Sequence, residues 1–285
     1  MRPIRHALAL LATVLAANVH AAIVINLPNF SNCATLQLNG NAACLSNVLR
    51  VTPATFNQSG SAFSQTSIPL GPGNTFSTFF SFNINTPGGI GDGDGPGADG
   101  ITFTVQPNAS TAGGAGGGIG YAGIANSIAI EFDTFNNGPG GGDPNGNHLG
   151  VDINGSVFSV ATVPVAARMN DGSTFFAWVD YNGSVLEVRL SQTNVRPAAP
   201  TLSHTVNLAT VIGQNQAFVG FTSGTGSGFG NHDIQSWVFD NTFNPIGGPP
   251  PPAVAADIPA LSVVGLLLSA LALGALGIRS LRRRG

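Results

Sequence analysis

An all-β sandwich of antiparallel sheets is the fold class that this sequence predicts, and three observations carry the prediction. Short runs of Val, Ile, Phe and Thr recur along the chain, separated by Gly, Asn and Pro clusters; glycine alone supplies 39 residues and proline 19. No long amphipathic helical pattern appears away from the two chain ends. A body of more than about 200 residues is ordinary for a single β domain. One sandwich over residues 22–246 therefore accounts for the middle of the chain.

The most explicit strand begins at Ile128. Ile128, Ile130 and Phe132 alternate with Ala129, Glu131, Asp133 and Phe135. A period of two sends the first set to the core and the second to the opposite face. Glu131 and Asp133 thus project side by side. The Gly/Asn/Pro loop that follows returns Asn137, Asp143 and His148 toward the same place. Carboxylates with an amide oxygen suit a hard cation such as Ca2+, and one imidazole suits a neighbouring transition metal. Without cations the carboxylates would repel one another, which is the physical reason to expect bound metal. Farther along, Asn182-Gly183 between FFAWVDY and SVLEVRL reads as a two-residue hairpin turn.

The segment EFDTFNNGPGGGDPNGNHLGVD (131–152) resembles the metal-binding strand and loop of legume-type (L-type) lectins: acid-x-acid-x-aromatic-x-Asn, then Asp-Pro, then His-x-Gly-x-Asp. The glycine-rich stretch between Asn137 and Asp143 is slightly long for that pattern. Other segments follow the family's order. GSAFSQTSIPL (60–70) and FSTFFSFNI (76–84) resemble its early strands, and ADGITFTVQP (98–107) the strand with its sugar-binding aspartate. GGGIGYAGI (116–124) resembles its glycine turn, AWVDYNGSVLEVRLS (177–191) a hairpin on the far side of the sandwich, and GFTSGTGSGFGNHDIQSWVF (220–239) its last variable loop and closing strand.

The resemblance implies a concanavalin-like jelly-roll sandwich. It implies that Asp133, the carbonyl of Phe135, Asn137 and Asp143 hold Ca2+, and that Glu131, Asp133, Asp143 and His148 hold a second metal, commonly Mn2+. It further implies that Asp99, after a cis Ala98–Asp99 peptide, accepts hydrogen bonds from two sugar hydroxyls. Gly117 N–H and Asn137 would donate to the sugar and the Phe135 ring would stack on it. Ser227 and Gly228 fall in the loop where the family varies its sugar choice, whereas Asp152 and Trp237 read as structural. Glycans or polysaccharide are then the expected partners.

Charge excludes one class of partner. Residues 22–257 contain no lysine, four arginines and all thirteen Asp and Glu residues, so no basic patch is available for nucleic acid. An enzyme reading is also weak. A related jelly-roll fold hosts endoglucanases with a Glu-x-Asp-x-x-Glu strand, and here the third position is Asn136. Retaining glycoside hydrolysis needs two carboxylates about 5–5.5 Å apart, and the second one is missing from the motif. A matrix or surface adhesion protein that keeps the fold without binding sugar is the alternative to a lectin.

The ends read as addresses. Arg2 and Arg5 precede an apolar run, and Val19-His20-Ala21 fits a cleavage site, so residues 1–21 are expected to be a secretory signal peptide. Export makes a disulfide permissible. Cys33 and Cys44, the only cysteines, would close a small loop if paired, the alternative being two free thiols. Residues 247–257 form a Pro-rich linker. In 258–285, Ile258-Pro259-Ala260-Leu261-Ser262, an apolar span and a terminal arginine cluster resemble the sorting signals handled by exosortase-type enzymes of Gram-negative bacteria, with Val264-Gly265 where Trp-Gly is usual. The span can just cross a bilayer. The expectation is an exported protein of the cell surface or exterior, transiently anchored in the membrane through this tail, with a permanent anchor as the alternative.

Overall fold

Two eight-stranded antiparallel sheets pack around one core. The structure, a computed structural model, describes residues 22–111 and 118–247. The expected signal peptide, the linker beyond Gly247 and the sorting tail lie outside the described residues. Among the described residues no helix is long and apolar enough to cross a membrane.

In the first sheet the strands run in the order Leu202–Thr205, Val185–Ser191, Thr174–Tyr181, Phe76–Gly89, Gly228–Asp240, Val48–Thr52 and Ala43–Leu45, with Ile23–Leu27 also paired to Gly228–Asp240. The second runs Ala161–Pro164, His148–Ile153, Ile128–Asp133, Gly100–Gln106, Gln216–Gly224, Ser59–Ser64 and Leu36–Gly40, with Ile68–Pro69 beside Gln216–Gly224. Runs of consecutive strands form part of each sheet, but Phe76–Gly89 lies between Thr174–Tyr181 and Gly228–Asp240, and Gln216–Gly224 between Gly100–Gln106 and Ser59–Ser64, the crossing connectivity of a jelly roll rather than a simple meander. The segments singled out at 60–70, 76–84, 98–107, 177–191 and 220–239 all carry strands.

Period-two patterning explains the core. Phe80, Phe82 and Trp237 from the first sheet meet Phe103, Phe132 and Phe221 from the second, with Phe80–Phe221 centroids 5.0 Å apart and Phe221–Trp237 4.9 Å apart. Such edge-to-face pairs add to the burial of large apolar surfaces. The Trp237 indole N–H donates to Thr78 Oγ1 at 3.0 Å, so its one polar group is satisfied, in keeping with a structural role. The strand Ile128–Asp133 is buried at every residue. Its second face is closed by the turn 118–124, where Tyr121 and Ile124 cluster with Ala129 and Phe63.

Two local expectations meet different outcomes. Cys33 and Cys44 are disulfide-bonded, closing an 11-residue separation at the sheet edges. A loop this short is stabilised by about 3 kcal/mol at most. The hairpin turn is displaced by one residue. Tyr181 pairs with Leu186 and Asn182 N–H donates to the Val185 carbonyl at 3.2 Å, which makes Gly183-Ser184 the two central residues. Asn182 instead caps the turn, its Oδ1 accepting from Ser184 N at 3.0 Å and Val185 N at 2.8 Å, while Gly183 takes the positive φ of 99°.

Candidate functional site

Strand register assembles the acidic cluster. Ile128–Asp133 lies between Gly100–Gln106 and His148–Ile153, with Asp133 opposite His148, Glu131 opposite Gly150 and Gly100 opposite Asp133. Directly opposite side chains on one face are neighbours, so the sheet itself brings His148 to Asp133. A Cβ at Gly150 would run into the Glu131 carboxylate and the Ser159 hydroxyl. The glycine of His-x-Gly-x-Asp is therefore what makes room for Glu131.

The polar atoms converge. His148 Nδ1 lies 3.1 Å from the Asn145 carbonyl, and Nε2 lies 3.2 Å from Glu131 Oε1. Ligand atoms of Asp133, Asp143 and His148 all fall within 4.8 Å of one another, the one such group of metal-ligating side chains among the described residues. The loop is tied to its own ligands: Phe135 N–H donates to Asp133 Oδ1 at 2.9 Å and Asn137 N–H to Asp143 Oδ2 at 2.6 Å. Glu131, Asp133, Asn137 and Asp143 line a cavity of about 140 Å³, with Ile119, Gly141 and Val157.

Electrostatics say what belongs there. Burial, then the neighbouring Asp143 and Glu131, push the Asp133 carboxyl well above its usual range. Burial also raises Asp143. Burial and then Asp143 raise Asp99 to about 7, and burial and then Glu131 raise Asp152 to about 9. By itself the protein disfavours charge on these groups, and a cation held among them would supply the counter-charge. An oxygen-rich donor set with a single imidazole fits Ca2+ beside a transition metal.

A pH dependence follows. For a carboxyl whose folded pKa is raised, the contribution to stability is fully present below the unfolded pKa and is lost as pH rises through the folded pKa. The chelated protein should therefore lose melting temperature as pH rises from about 4 to about 7, the Asp99 window, and on toward about 9, the Asp152 window. Ca2+ and Mn2+ should raise the melting temperature more at pH 8 than at pH 5, because they bind the deprotonated ligands. Differential scanning fluorimetry at both values, with and without EDTA, checks this.

Asp99 stands at the edge of the same cluster. The Ala98–Asp99 peptide is cis. Asp99 N–H donates to the Gly224 carbonyl at 3.2 Å, and its carbonyl accepts from Thr134 N–H at 3.0 Å. Gly100 has φ +133°, and a Cβ there would run into the Phe132 carbonyl, so only glycine lets the loop lie this close to the strand Ile128–Asp133. Asp99 is 4% exposed, and its Oδ2 has no hydrogen-bond partner among the described residues.

The remaining expected residues separate. Phe135 is half-buried and Asn137 exposed. Ser227 is exposed, with its carbonyl accepting from Ile90 N–H at 2.9 Å, and Gly228 is buried against Ala98. Gly226 is the loop residue beside the acid, its Cβ position 3.8 Å from Asp99 Oδ2. Gly117 lies outside the described residues. Sequence reasoning missed Ser159, whose hydroxyl lies 2.6 Å from both Glu131 Oε1 and Asp152 Oδ1. It also missed the contact of Asp92, whose Oδ2 accepts from Asn136 N–H at 2.7 Å and pins the start of the loop that follows Asp133. No sequence spacing marked Ser159, and Asp92 stood out only as part of the acidic run GDGDGPGADG (91–100), which by itself could be read as a calcium-binding loop and gave no pointer to Asn136.

The comparisons agree with this geometry. The legume lectin domain matches residues 23–249. The "L-type lectin-domain containing receptor kinase VIII.1" of Arabidopsis thaliana is 34% identical over 221 residues, 72% of this chain but 28% of that protein, so the chain spans under a third of that relative's length. Among solved structures, basic winged bean lectin with Tn-antigen is 29% identical with a TM-score of 0.64, covering 76% of this chain and 96% of its own. Winged bean acidic lectin complexed with methyl-α-D-galactose gives the same identity, TM-score and coverage. A matched family spanning nearly all the described residues, on the sandwich and acidic cluster just described, places this chain in the legume lectin family.

Proposed function

We propose that this chain is an exported, non-catalytic carbohydrate-binding protein whose shallow sugar site is ordered by Ca2+ and a transition metal such as Mn2+. One observation carries the reading: Asp99 has a buried carboxylate oxygen with no partner among the described residues, on a loop fastened to the strand Ile128–Asp133 and its end at Asp133 and Thr134. A buried acceptor left unpaired is costly, and a sugar hydroxyl is the partner that would satisfy it.

In this reading Asp133, the Phe135 carbonyl, Asn137 and Asp143 hold Ca2+, and Glu131, Asp133, Asp143 and His148 hold the second ion. When bound, the cations supply the positive charge the carboxylates lack and fix the loop that carries Asn137. Asp99 accepts from two hydroxyls, Asn137 and Gly117 N–H donate, Phe135 stacks on the sugar's apolar face, and Ser227 and Gly228 shape the rim. Ser159 orients Glu131 and Asp152. The carboxylates serve cations and hydroxyl recognition, and Asn136 stands where a second catalytic acid would be needed, which favours binding over hydrolysis. Residues 1–21 direct export, and 258–285 act as a sorting tail for an exosortase-type enzyme. Display in many copies then supplies avidity for a weak single site.

The test is a panel of immobilised α-glycosides of galactose, N-acetylgalactosamine, fucose, mannose and glucose, extended to a broad glycan array. Saturable binding that free sugar competes away is expected. Absence of binding to every glycan, with both metals present, would leave only the fold.

A further inference from the structure

A buried polar chain crosses the sandwich beneath the Asp99 loop. His232 in Gly228–Asp240 and Thr52 in Val48–Thr52 belong to one sheet, and Ser223 in Gln216–Gly224 belongs to the other. All three are fully buried. His232 Nδ1 lies 2.8 Å from Thr52 Oγ1, Thr52 Oγ1 lies 2.8 Å from Ser223 Oγ, and Ser223 Oγ donates to the Gly100 carbonyl at 2.7 Å.

The last bond fixes the direction of the others. Ser223 spends its only proton on Gly100, so toward Thr52 it can only accept. Thr52 then spends its proton on Ser223 and must accept from His232, which therefore carries its proton on Nδ1. His232 Nε2 is left bare, and it has no partner among the described residues. Burial, the largest influence, brings the imidazole down to about 3, so the neutral form carries the chain. Three polar side chains held dry between two sheets are a costly way to fill a core. At its Ser223 end the chain terminates on the carbonyl of the residue that follows Asp99.

We propose that His232, Thr52 and Ser223 are positioning residues for Asp99, a one-directional hydrogen-bond chain that anchors the Gly100 carbonyl and thereby sets where the Asp99 carboxylate meets a sugar. This rests on Asp99 being the sugar acceptor. None of the three residues reaches the sugar or the metal cluster; they act through the backbone of Gly100.

The test is glycan affinity at saturating Ca2+ and Mn2+ on the same five α-glycosides, beside metal content and melting temperature, for Thr52→Val, Ser223→Ala, Thr52→Ser and Asp99→Asn. Thr52→Val keeps the shape and removes the relay, and should weaken binding about tenfold, as should Ser223→Ala. Both variants should retain their metals, and Thr52→Ser should bind like the wild type. Unchanged affinity in Thr52→Val or Ser223→Ala, even with a lowered melting temperature, makes the chain merely structural and overturns the proposal. Thr52→Ser as weak as Thr52→Val would assign the effect to a lost methyl contact and overturn it too. If Thr52→Val does not fold, Ser223→Ala decides. Wild-type binding by Asp99→Asn would instead bring down the underlying sugar-site reading, an outcome separable from the others.

Discussion

Asp99→Asn is expected to weaken glycan binding by roughly ten- to a hundred-fold or more while both metals stay bound. The change keeps the side chain's shape but replaces an acceptor oxygen with a donor. It also removes the negative charge that strengthens hydrogen bonds to hydroxyls. Asp99 is nearly buried and one of its oxygens has no partner among the described residues, so a mismatched amide would leave polar groups unpaired at about 1–3 kcal/mol each. At about 1.4 kcal/mol per factor of ten, that yields the stated loss. Isothermal calorimetry with the best glycan, run beside elemental analysis of the same sample, measures both halves of the expectation. Full affinity would place the sugar elsewhere. Lost metal would make Asp99 a member of the cation site.

Asp133→Ala should have the largest effect of any single change. In the proposed site Asp133 is the ligand shared by both ions: it stands opposite His148 across the strand pair, with ligand atoms within 4.8 Å of Asp143 and His148, and its Oδ1 accepts from Phe135 N–H. The variant should lose both metals and with them all glycan binding. In buffer with Ca2+ and Mn2+ it should also melt below the wild type, since ions that bind only the native state stabilise it by about 2.7 kcal/mol at a hundred times Kd. In EDTA the gap should close, because the mutation removes a buried carboxyl crowded by Asp143 and Glu131. His148→Ala should weaken only the transition-metal site. Two metals per chain in Asp133→Ala would show that it is not the shared ligand.

Much of this site was legible in the sequence because the information is local. Period-two alternation places Glu131 and Asp133 on one face, and residue chemistry alone marks Asn137, Asp143 and His148 as candidate cation ligands once a loop returns them. The paired Cys33 and Cys44 and the cis bond before Asp99 were expected on export and on resemblance respectively, and both are present. What stayed hidden depends on contacts that no short window contains. The second face of the strand Ile128–Asp133 is sealed by Tyr121 and Ile124 folding back from a separate turn. The chain through Thr52 joins residues 171 and 180 positions apart. Asp92 reaches Asn136 across 44 positions. The hairpin went one residue astray for a local reason: Asn182 is as favourable before a turn as within it, and its side-chain acceptor settled the matter.

The central claim is that cations, by ordering the Asn137 and Asp99 loops, make the sugar site. It is tested most directly by titrating one glycan into three samples of the wild-type chain: as purified, after exhaustive chelation, and after reloading with Ca2+ and Mn2+. The account predicts binding in the first, none in the second and full recovery in the third, with Mg2+ alone failing to restore it. Undiminished affinity in a sample shown by elemental analysis to be metal-free would contradict it.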